Sequence, residues 1–237
     1  MKTGKLFRKW TTDLAQLLYP KRCVVCTVEI PNAEVELCPF CLHDLNYTNF
    51  EAYQEATPLD KLFWGRIQLA ATYALLTFRK GGAVQQVVHD LKYHNNFNMG
   101  LYFGKEMGEK LRLLPVFNDV DVLIPIPLHH RKKFIRGYNQ AEMICRGIEQ
   151  STQIPIETQV LKRLVHSSSQ TKKGKLSRWE SMQHKFYGDK RTTEQFNHIL
   201  IVDDVATTGS TLEICFHTLR NQFPNSKISV AVLAIAE

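Results

Sequence analysis

The sequence lacks long apolar runs. Charged side chains interrupt every apolar stretch of residues 1–20, which excludes the hydrophobic core of a secretory signal peptide. No other stretch is apolar for long enough to cross a bilayer, and there is no internal repeat or low-complexity tract. We therefore expect a soluble, cytoplasmic protein with no membrane span. The helical spacing of Leu6, Trp10 and Leu14 predicts a short amphipathic helix packed on the protein, with a membrane-surface helix as the alternative.

Acidic residues are outnumbered among the charged side chains. The chain of 237 residues has 30 Lys and Arg against 23 Asp and Glu, which gives a formal charge of +7. This balance suits a phosphate substrate or a polyanionic partner, although it decides between neither. The length is sufficient for one large domain with a small addition.

Cysteines are few and fall into two groups. Cys145 and Cys215 lie singly in helical apolar patterns, where a free cysteine behaves as a small hydrophobic residue. The other four form two CxxC pairs in one short segment: Cys23, Cys26, Cys38 and Cys41. Two thiolate pairs complete the tetrahedral shell of a structural zinc site, and a reducing cytosol disfavours disulfides. We expect zinc, with disulfides or redox thiols as the alternatives.

The chain divides into two predicted units. Residues 1–55 contain the N-terminal helix and the zinc knuckle, and residues 65–237 form the larger unit. In the larger unit strand-like and helical segments alternate, which predicts an α/β fold with a largely parallel sheet flanked by helices. Ligands of such sheets bind at the carboxyl ends of the strands. The polar, basic stretch 165–186 is the best candidate for a mobile loop.

Residues 199–212, ILIVDDVATTGSTL, carry the clearest chemical signal. Four aliphatic residues predict a strand covered on both faces, ending at an acidic pair, with a helix beginning near Thr211. The first N–H groups of a helix can bind a phosphate, and a glycine permits the backbone angles of a tight nest. The residues predicted to bind phosphate are Ala206, Thr207, Thr208, Gly209, Ser210 and Thr211. A simple helix cap is the alternative, but a cap needs one small hydroxyl residue and this stretch has four.

Asp203 and Asp204 form the acidic pair. Two adjacent carboxylates are unfavourable unless a cation or hydroxyl donors lie against them, and a ribose with Mg²⁺ supplies both. We predict that these two residues bind the reacting sugar and its metal. Because adjacent strand side chains point to opposite faces, both can do so only if the strand already turns there. A receiver domain is excluded because no aspartate follows Asp204 as a phosphoacceptor.

A second strand is followed by basic residues. Residues 122–140, VLIPIPLHHRKKFIRGYNQ, predict a strand, a basic loop and then a helix. Cations near a helix N-terminus are disfavoured by about 0.3–1 kcal/mol each, so a bound pyrophosphate would turn repulsion into attraction. The predicted pyrophosphate loop contains Pro127, Leu128, Arg131 and Arg136. A solvated basic loop is the alternative.

Residues 199–211 closely resemble the thirteen-residue phosphoribosyl pyrophosphate (PRPP) motif of type I phosphoribosyltransferases. Further blocks are the four-cysteine knuckle, LKY at 91–93, PIPLHHRKKFIRGYNQAE at 125–142 and LKR at 161–163. Together they resemble the ComF (ComFC-like) competence family over nearly the whole chain. The basic stretch departs from that pattern, since Ser181 stands where asparagine is usual and KKGK looks inserted.

The resemblance implies a type I phosphoribosyltransferase-like fold and a role in natural transformation. The acidic pair would bind the ribose hydroxyls, directly or through Mg²⁺, and the small loop the 5′-phosphate of PRPP. It further implies handling of single-stranded DNA beside a helicase-like partner. The alternative function is a non-catalytic single-stranded DNA-binding protein, compatible with basic segments interleaved with Phe134, Tyr138 and Trp179. The sequence names no acceptor, and we expect no C-terminal hood after the last helix.

Overall fold

The computed structural model describes residues 20–30, 35–93, 96–163, 186–188 and 195–237. The predicted N-terminal helix and nearly all of the basic stretch 165–186, including Trp179 and Ser181, lie outside these ranges. Within them, no helix is long and apolar enough to span a membrane.

Strands and helices alternate along the chain. The strands are β1 (Thr72–Phe78), β2 (Val122–Pro125), β3 (Leu161–Arg163), β4 (Phe186–Gly188), β5 (His198–Ala206) and β6 (Lys227–Ala236). The helices are α1 (Pro39–His43), α2 (Pro58–Phe63), α3 (Ala83–Tyr93), α4 (Phe97–Leu111), α5 (His130–Arg136), α6 (Gln140–Thr152) and α7 (Ser210–Gln222). Two short 3-10 turns cover Phe50–Ala52 and Pro115–Phe117.

Four strands form a parallel sheet in the order β1-β6-β5-β2, and β3 pairs with β4 in a separate antiparallel ribbon. Burial is nearly continuous along β6 and along the first part of β5, so both faces of the sheet are covered there. The predicted fold class is confirmed: an α/β protein with a parallel sheet and a small N-terminal module of four clustered cysteines.

Both edges of the sheet are covered by irregular chain. Along β1, the N–H of Thr48 donates to Leu75 O (3.0 Å) and the N–H of Thr77 to Asn46 O (2.7 Å). Along β2, the N–H of Leu123 donates to Pro155 O at 2.9 Å. At these residues the edges are already paired and are not open to pairing with another chain.

Helices α4 and α6 approach each other closely. A Cβ at Gly104 would lie 2.2 Å from Ile144 O, and a Cβ at Gly147 would lie 2.3 Å from Leu101 O. Only glycine fits at these two contacts because backbone atoms, which cannot swing aside, occupy the space. The packing fixes α6, whose first turn faces the site described below.

The cysteine module is bound to α3. With its amide oriented to donate, Gln86 reaches Val24 O at 2.9 Å and Val25 O at 3.2 Å. Asn96, just beyond α3, donates to Asp90 Oδ2 at 2.6 Å and also to the Glu36 carboxylate of the module. The module therefore packs on the same helix that leads to the carboxyl edge of the sheet.

Two sequence predictions about local structure are wrong. The segment predicted as a basic loop is the helix α5: His129 Nδ1 accepts from the N–H of Arg131 (3.3 Å), and Gly137 ends the helix with φ 74°. Arg136 therefore lies in the last turn of a helix, where the dipole favours a cation rather than opposing it. Strand β5 also continues past Asp203 to Ala206, because its pairing with β6 persists through Ile235.

Candidate functional site

A cleft of about 550 Å³ opens at the carboxyl edge of the sheet. It is bounded by the end of β5, the turn after β2, the first turn of α6, the last turns of α3 and strand β3. The predicted site residues that line it are Pro127, Leu128, Arg136, Asp203, Asp204, Thr207 and Thr211. Residues from two distant predicted segments thus meet at one place.

Other predicted residues lie beside the cleft rather than on its wall. Ala206 is buried, and Thr208, Gly209 and Ser210 form the turn behind Thr207. Arg131 is exposed on α5, and its neighbour Lys132 lines the cleft instead. Lys132 rather than Arg131 lines the cleft because consecutive residues of a helix point about 100° apart.

Both residues of the acidic pair line the cleft. The N–H of Asp204 donates to Asp203 Oδ1 at 2.9 Å, and Lys92 Nζ lies 3.0 Å from Asp204 Oδ2. Burial, followed by the charge of Asp204, raises the pKa of Asp203 to about 8, although the N–H of Asp204 and the charges of Lys92 and Arg163 oppose the rise. The turn that we expected at the acidic pair is absent, since β5 continues to Ala206, yet both residues line the cleft.

The turn from β5 into α7, residues 206–211, is called the phosphate loop below. Gly209 has φ 71°, and a Cβ there would lie 2.7 Å from Phe63 Cε1, so the position requires glycine on both counts. Thr208 Oγ1 and Ser210 Oγ lie 3.0 Å apart. Among the described residues, no acceptor takes the backbone N–H of Thr207, Thr208 or Gly209. Donors without a partner at a helix N-terminus are suited to an anion.

Arg136 and two residues of the first turn of α6 are held in place by hydrogen bonds. The buried Arg136 donates to Gln140 Oε1 at 3.0 Å, and its guanidinium carbon lies 5.1 Å from the centroid of the Tyr93 ring. Asn139 Nδ2 donates to Ile126 O at 3.0 Å. These contacts orient polar side chains that line the cleft together with the acidic pair.

The charge lining the cleft is positive. Lys92, Lys132, Arg136 and Arg163 line it together with the two aspartates. Four cations against two carboxylates leave an excess of positive charge even when both acids are ionised. Such a lining suits a ligand that carries several phosphate oxygens together with a metal ion.

The four cysteines of the N-terminal module cluster as predicted. Their sulfur atoms all lie within 4.8 Å of one another, and Cys26 Sγ lies 3.6 Å from Cys38 Sγ. Four thiolates bound to one Zn²⁺ at about 2.3 Å lie about 3.8 Å apart, so the cluster fits a tetrahedral ion. Burial opposes ionisation of Cys23, but the backbone N–H groups of Cys26, Cys38 and Val25 lower its pKa to about 6.

Comparison with known proteins gives a consistent group of relatives. The chain is 31% identical to Competence protein F of Haemophilus influenzae over 101 residues, which cover 42% of this chain and 44% of that protein. It is 24% identical to the DNA utilization protein YhgH of Escherichia coli over 211 residues, 84% of each chain. It is 29% identical to Competence protein ComFC of Bacillus subtilis over 108 residues, 46% of this chain and 42% of that protein. The chain is thus similar to proteins named for competence, ComFC among them, and for DNA utilization.

Two further comparisons concern protein-family models and solved structures. No protein-family model matches the chain. A solved glutamine PRPP amidotransferase from B. subtilis, complexed with ADP and GMP, aligns with a TM-score of 0.43 and 16% identity, covering 61% of this chain and 30% of that chain. The matches to Competence protein F and ComFC span less than half of each of those proteins.

The ComF resemblance, confirmed by these relatives, includes residues whose place in the site the sequence alone does not predict. The blocks LKY, RGYNQ and LKR resemble the ComF family in sequence, but the sequence predicts no role for Lys92, Asn139, Gln140 or Arg163. In the structure all four line the cleft around the acidic pair. Arg163 also stacks on the Phe186 ring, with its guanidinium carbon 5.2 Å from the ring centroid. The blocks are recognisable in the sequence by their ComF resemblance, but only the fold shows that they meet in one cleft.

Proposed function

We propose that the protein binds PRPP with Mg²⁺ in this cleft and acts in competence as a phosphoribosyltransferase-like protein. The observation that carries the proposal is the meeting of the Asp203–Asp204 pair with the phosphate loop. In that loop the N–H groups of Thr207, Thr208 and Gly209 have no acceptor among the described residues. Asp203 and Asp204 bind the ribose hydroxyls and the metal. The phosphate loop binds the 5′-phosphate, with Thr207 and Thr211 nearest to the cleft.

The donor set fits Mg²⁺. This ion is usually bound through one or two carboxylates together with substrate phosphates, which are the groups that the acidic pair and PRPP would offer. Mg²⁺ would neutralise charge on the pyrophosphate as it separates from the sugar. Arg136, Lys132 and Arg163, which line the same cleft, bind the same pyrophosphate, with the exposed Arg131 beside them on α5. If transfer to an acceptor occurs, these residues stabilise the leaving group while the loop and the acids position the sugar.

The remaining parts of the proposal follow from the ComF relatives and the cysteines. The four-cysteine cluster is a structural zinc site, because all four positions are filled by protein thiolates and none is open to substrate. Thiolates that bind zinc suit the reducing cytoplasm. There the protein acts in the uptake or handling of single-stranded DNA, beside a helicase-like partner.

Calorimetry with PRPP and Mg²⁺ tests the central claim. The wild-type protein should bind PRPP, and Asp204→Asn should abolish detectable binding because it removes a metal ligand and the partner of Lys92. Asp121→Asn is the matched control: Asp121 accepts from the Asn197 N–H (2.7 Å) at the opposite end of the sheet. Its PRPP affinity should equal that of the wild type. A wild-type protein that does not bind PRPP contradicts the proposal, whereas pyrophosphate release with an identified acceptor establishes transfer.

One observation favours the second candidate, a non-catalytic single-stranded DNA-binding protein. Phe134 is 90% exposed on α5 and is flanked by Arg131, Lys132 and Lys133. Exposed rings among cations are typical of surfaces that stack successive bases. Tyr138, the other described candidate, is unsuited to stacking because it is only partly exposed and its hydroxyl donates to Leu91 O. Salt-dependent DNA binding without PRPP-dependent chemistry would select this second function.

A further inference from the structure

Arg66 lies where the turn after α2, the phosphate loop and α7 meet. Its Nη1 donates to Leu62 O at 3.1 Å and to Thr208 O at 2.8 Å, and its Nη2 donates to Glu213 Oε2 at 2.5 Å. The side chain is 30% exposed, so these bonds are partly shielded from water. Arg66 does not line the cleft. It therefore contacts the back of the phosphate loop rather than a ligand.

The contact between α2 and the phosphate loop is close. A Cβ added at Gly209 would lie 2.7 Å from Phe63 Cε1, so the Phe63 ring packs directly against this glycine. Helix α2 is itself anchored: Thr57 and Asp60 form a capping box, and Thr72 Oγ1 of β1 donates to Asp60 Oδ1 at 2.7 Å. The wall behind the loop is thus fixed to the edge of the sheet.

The bond to Thr208 O has a directional consequence. The carbonyl of Thr208 and the N–H of Gly209 belong to one trans peptide unit, in which they point in opposite directions. Holding the carbonyl toward Arg66 turns the Gly209 N–H away from Arg66. Among the described residues this N–H has no acceptor.

We propose that Arg66 is a positioning residue for the phosphate loop, which fixes the Thr208–Gly209 peptide so that its N–H points at the 5′-phosphate of the bound sugar. The proposal rests on the proposed function and adds a residue that acts on the ligand only through the loop. Glu213, bonded to the same guanidinium, keeps Arg66 in this orientation from the first turn of α7.

The test compares three probes by calorimetry: ribose 5-phosphate, PRPP with Mg²⁺, and inorganic pyrophosphate. Arg66→Met should weaken the binding of ribose 5-phosphate and of PRPP by about tenfold. This is the size expected for losing one well-directed hydrogen bond from an N–H to a charged phosphate oxygen. Pyrophosphate affinity should be unchanged, because Arg66 bonds to Leu62, Thr208 and Glu213 and to no residue of the proposed pyrophosphate site. Arg66→Lys retains one donor and should recover part of the loss.

Arg220→Met is the matched control. Arg220 also donates to two carbonyls, Pro224 O (2.8 Å) and Ser226 O (2.7 Å), and its guanidinium carbon lies 5.4 Å from the Phe216 ring centroid, at the far end of α7. Arg220→Met should lower the melting temperature without changing the affinity for any of the three probes. In NMR spectra, ribose 5-phosphate should shift the Gly209 amide resonance of the wild type and have little effect on it in Arg66→Met.

The outcomes separate the two proposals. If the wild type binds neither ribose 5-phosphate nor PRPP, the proposed function fails. If the wild type binds both and Arg66→Met binds ribose 5-phosphate equally well, the positioning role is overturned while the proposed function stands. Equal weakening of all three probes in Arg66→Met also overturns it, because that pattern indicates a general loss of structure.

Discussion

Asp203 occupies a position where burial and a neighbouring charge both oppose its ionisation. Its pKa is raised from 3.8 to about 8, whereas an unfolded chain would ionise it at its ordinary value. Stability that this group contributes at low pH is therefore lost as pH rises toward 8. A carboxylate whose ionisation destabilises the free protein is typical of a functional residue, because a bound metal ion would favour the ionised form.

Asp203→Asn should therefore stabilise the free protein at high pH. The substitution removes the ionisable group while keeping the shape of the side chain. The gain in the free energy of unfolding over the wild type should therefore be small near pH 4 and should grow toward pH 8. There we expect the melting temperature to rise by about 2–4 °C for each kcal/mol of relieved cost. Lys92, Arg163 and Asp204 face the same group, but burial is the largest cause of the raised pKa, so salt should change the effect little. Asp121→Asn, remote from the cleft, should show no gain that grows with pH.

At the level of single elements, long periodic segments were predictable from sequence and short capped ones were not. The apolar run KISVAVLAIA is strand β6 along its full length, and the pattern through Val84, Val88 and Leu91 is helix α3. Helix α5 was missed because it is one short helix set by its ends, the His129 cap and the φ 74° of Gly137, rather than by an apolar stripe. Its two largest apolar side chains, Phe134 and Ile135, are adjacent and exposed.

Helix α5 provides the element-level prediction. If the protein binds single-stranded DNA through this helix, Phe134→Ala should weaken the binding of an oligothymidine by about 1–3 kcal/mol, which is the contribution of one stacked base. Fluorescence anisotropy at several salt concentrations measures the change. Stability should be unaffected because Phe134 is 90% exposed. Phe97→Ala, at a half-exposed ring on α4, is the control and should leave affinity unchanged; an equal loss in both variants would remove α5 from the DNA-binding surface.

For the whole molecule, the sequence predicted the components of the site but not their assembly. The acidic pair, the phosphate loop and the cysteines are recognisable because each is local in sequence. Lys92 and Arg163 are not, because their position beside Asp203 depends on how α3 and β3 pack at the sheet edge. The same holds for the contact of Arg66 with Thr208, which joins residues 142 positions apart.

The cysteine module gives the prediction at this scale. We propose residues 1–55 and 65–237 as two units in sequence, yet Gln86 and Asn96 bind the module to α3, and Thr48 pairs with β1. Loss of metal should therefore disturb α3 as well as the module, and calorimetry should show one unfolding transition, lowered by about 10 °C or more.

Metal analysis accompanies that measurement. The wild type should retain one zinc per chain, Cys26→Ser should lose it, and Cys145→Ala, at a buried cysteine outside the cluster, should retain it. Because α3 also carries Lys92, the partner of Asp204, metal loss should weaken PRPP binding even though no cysteine lines the cleft. Two separate transitions with unchanged PRPP affinity would instead mean that the module and the sheet fold independently, and that the contacts through Gln86 and Asn96 contribute little to stability.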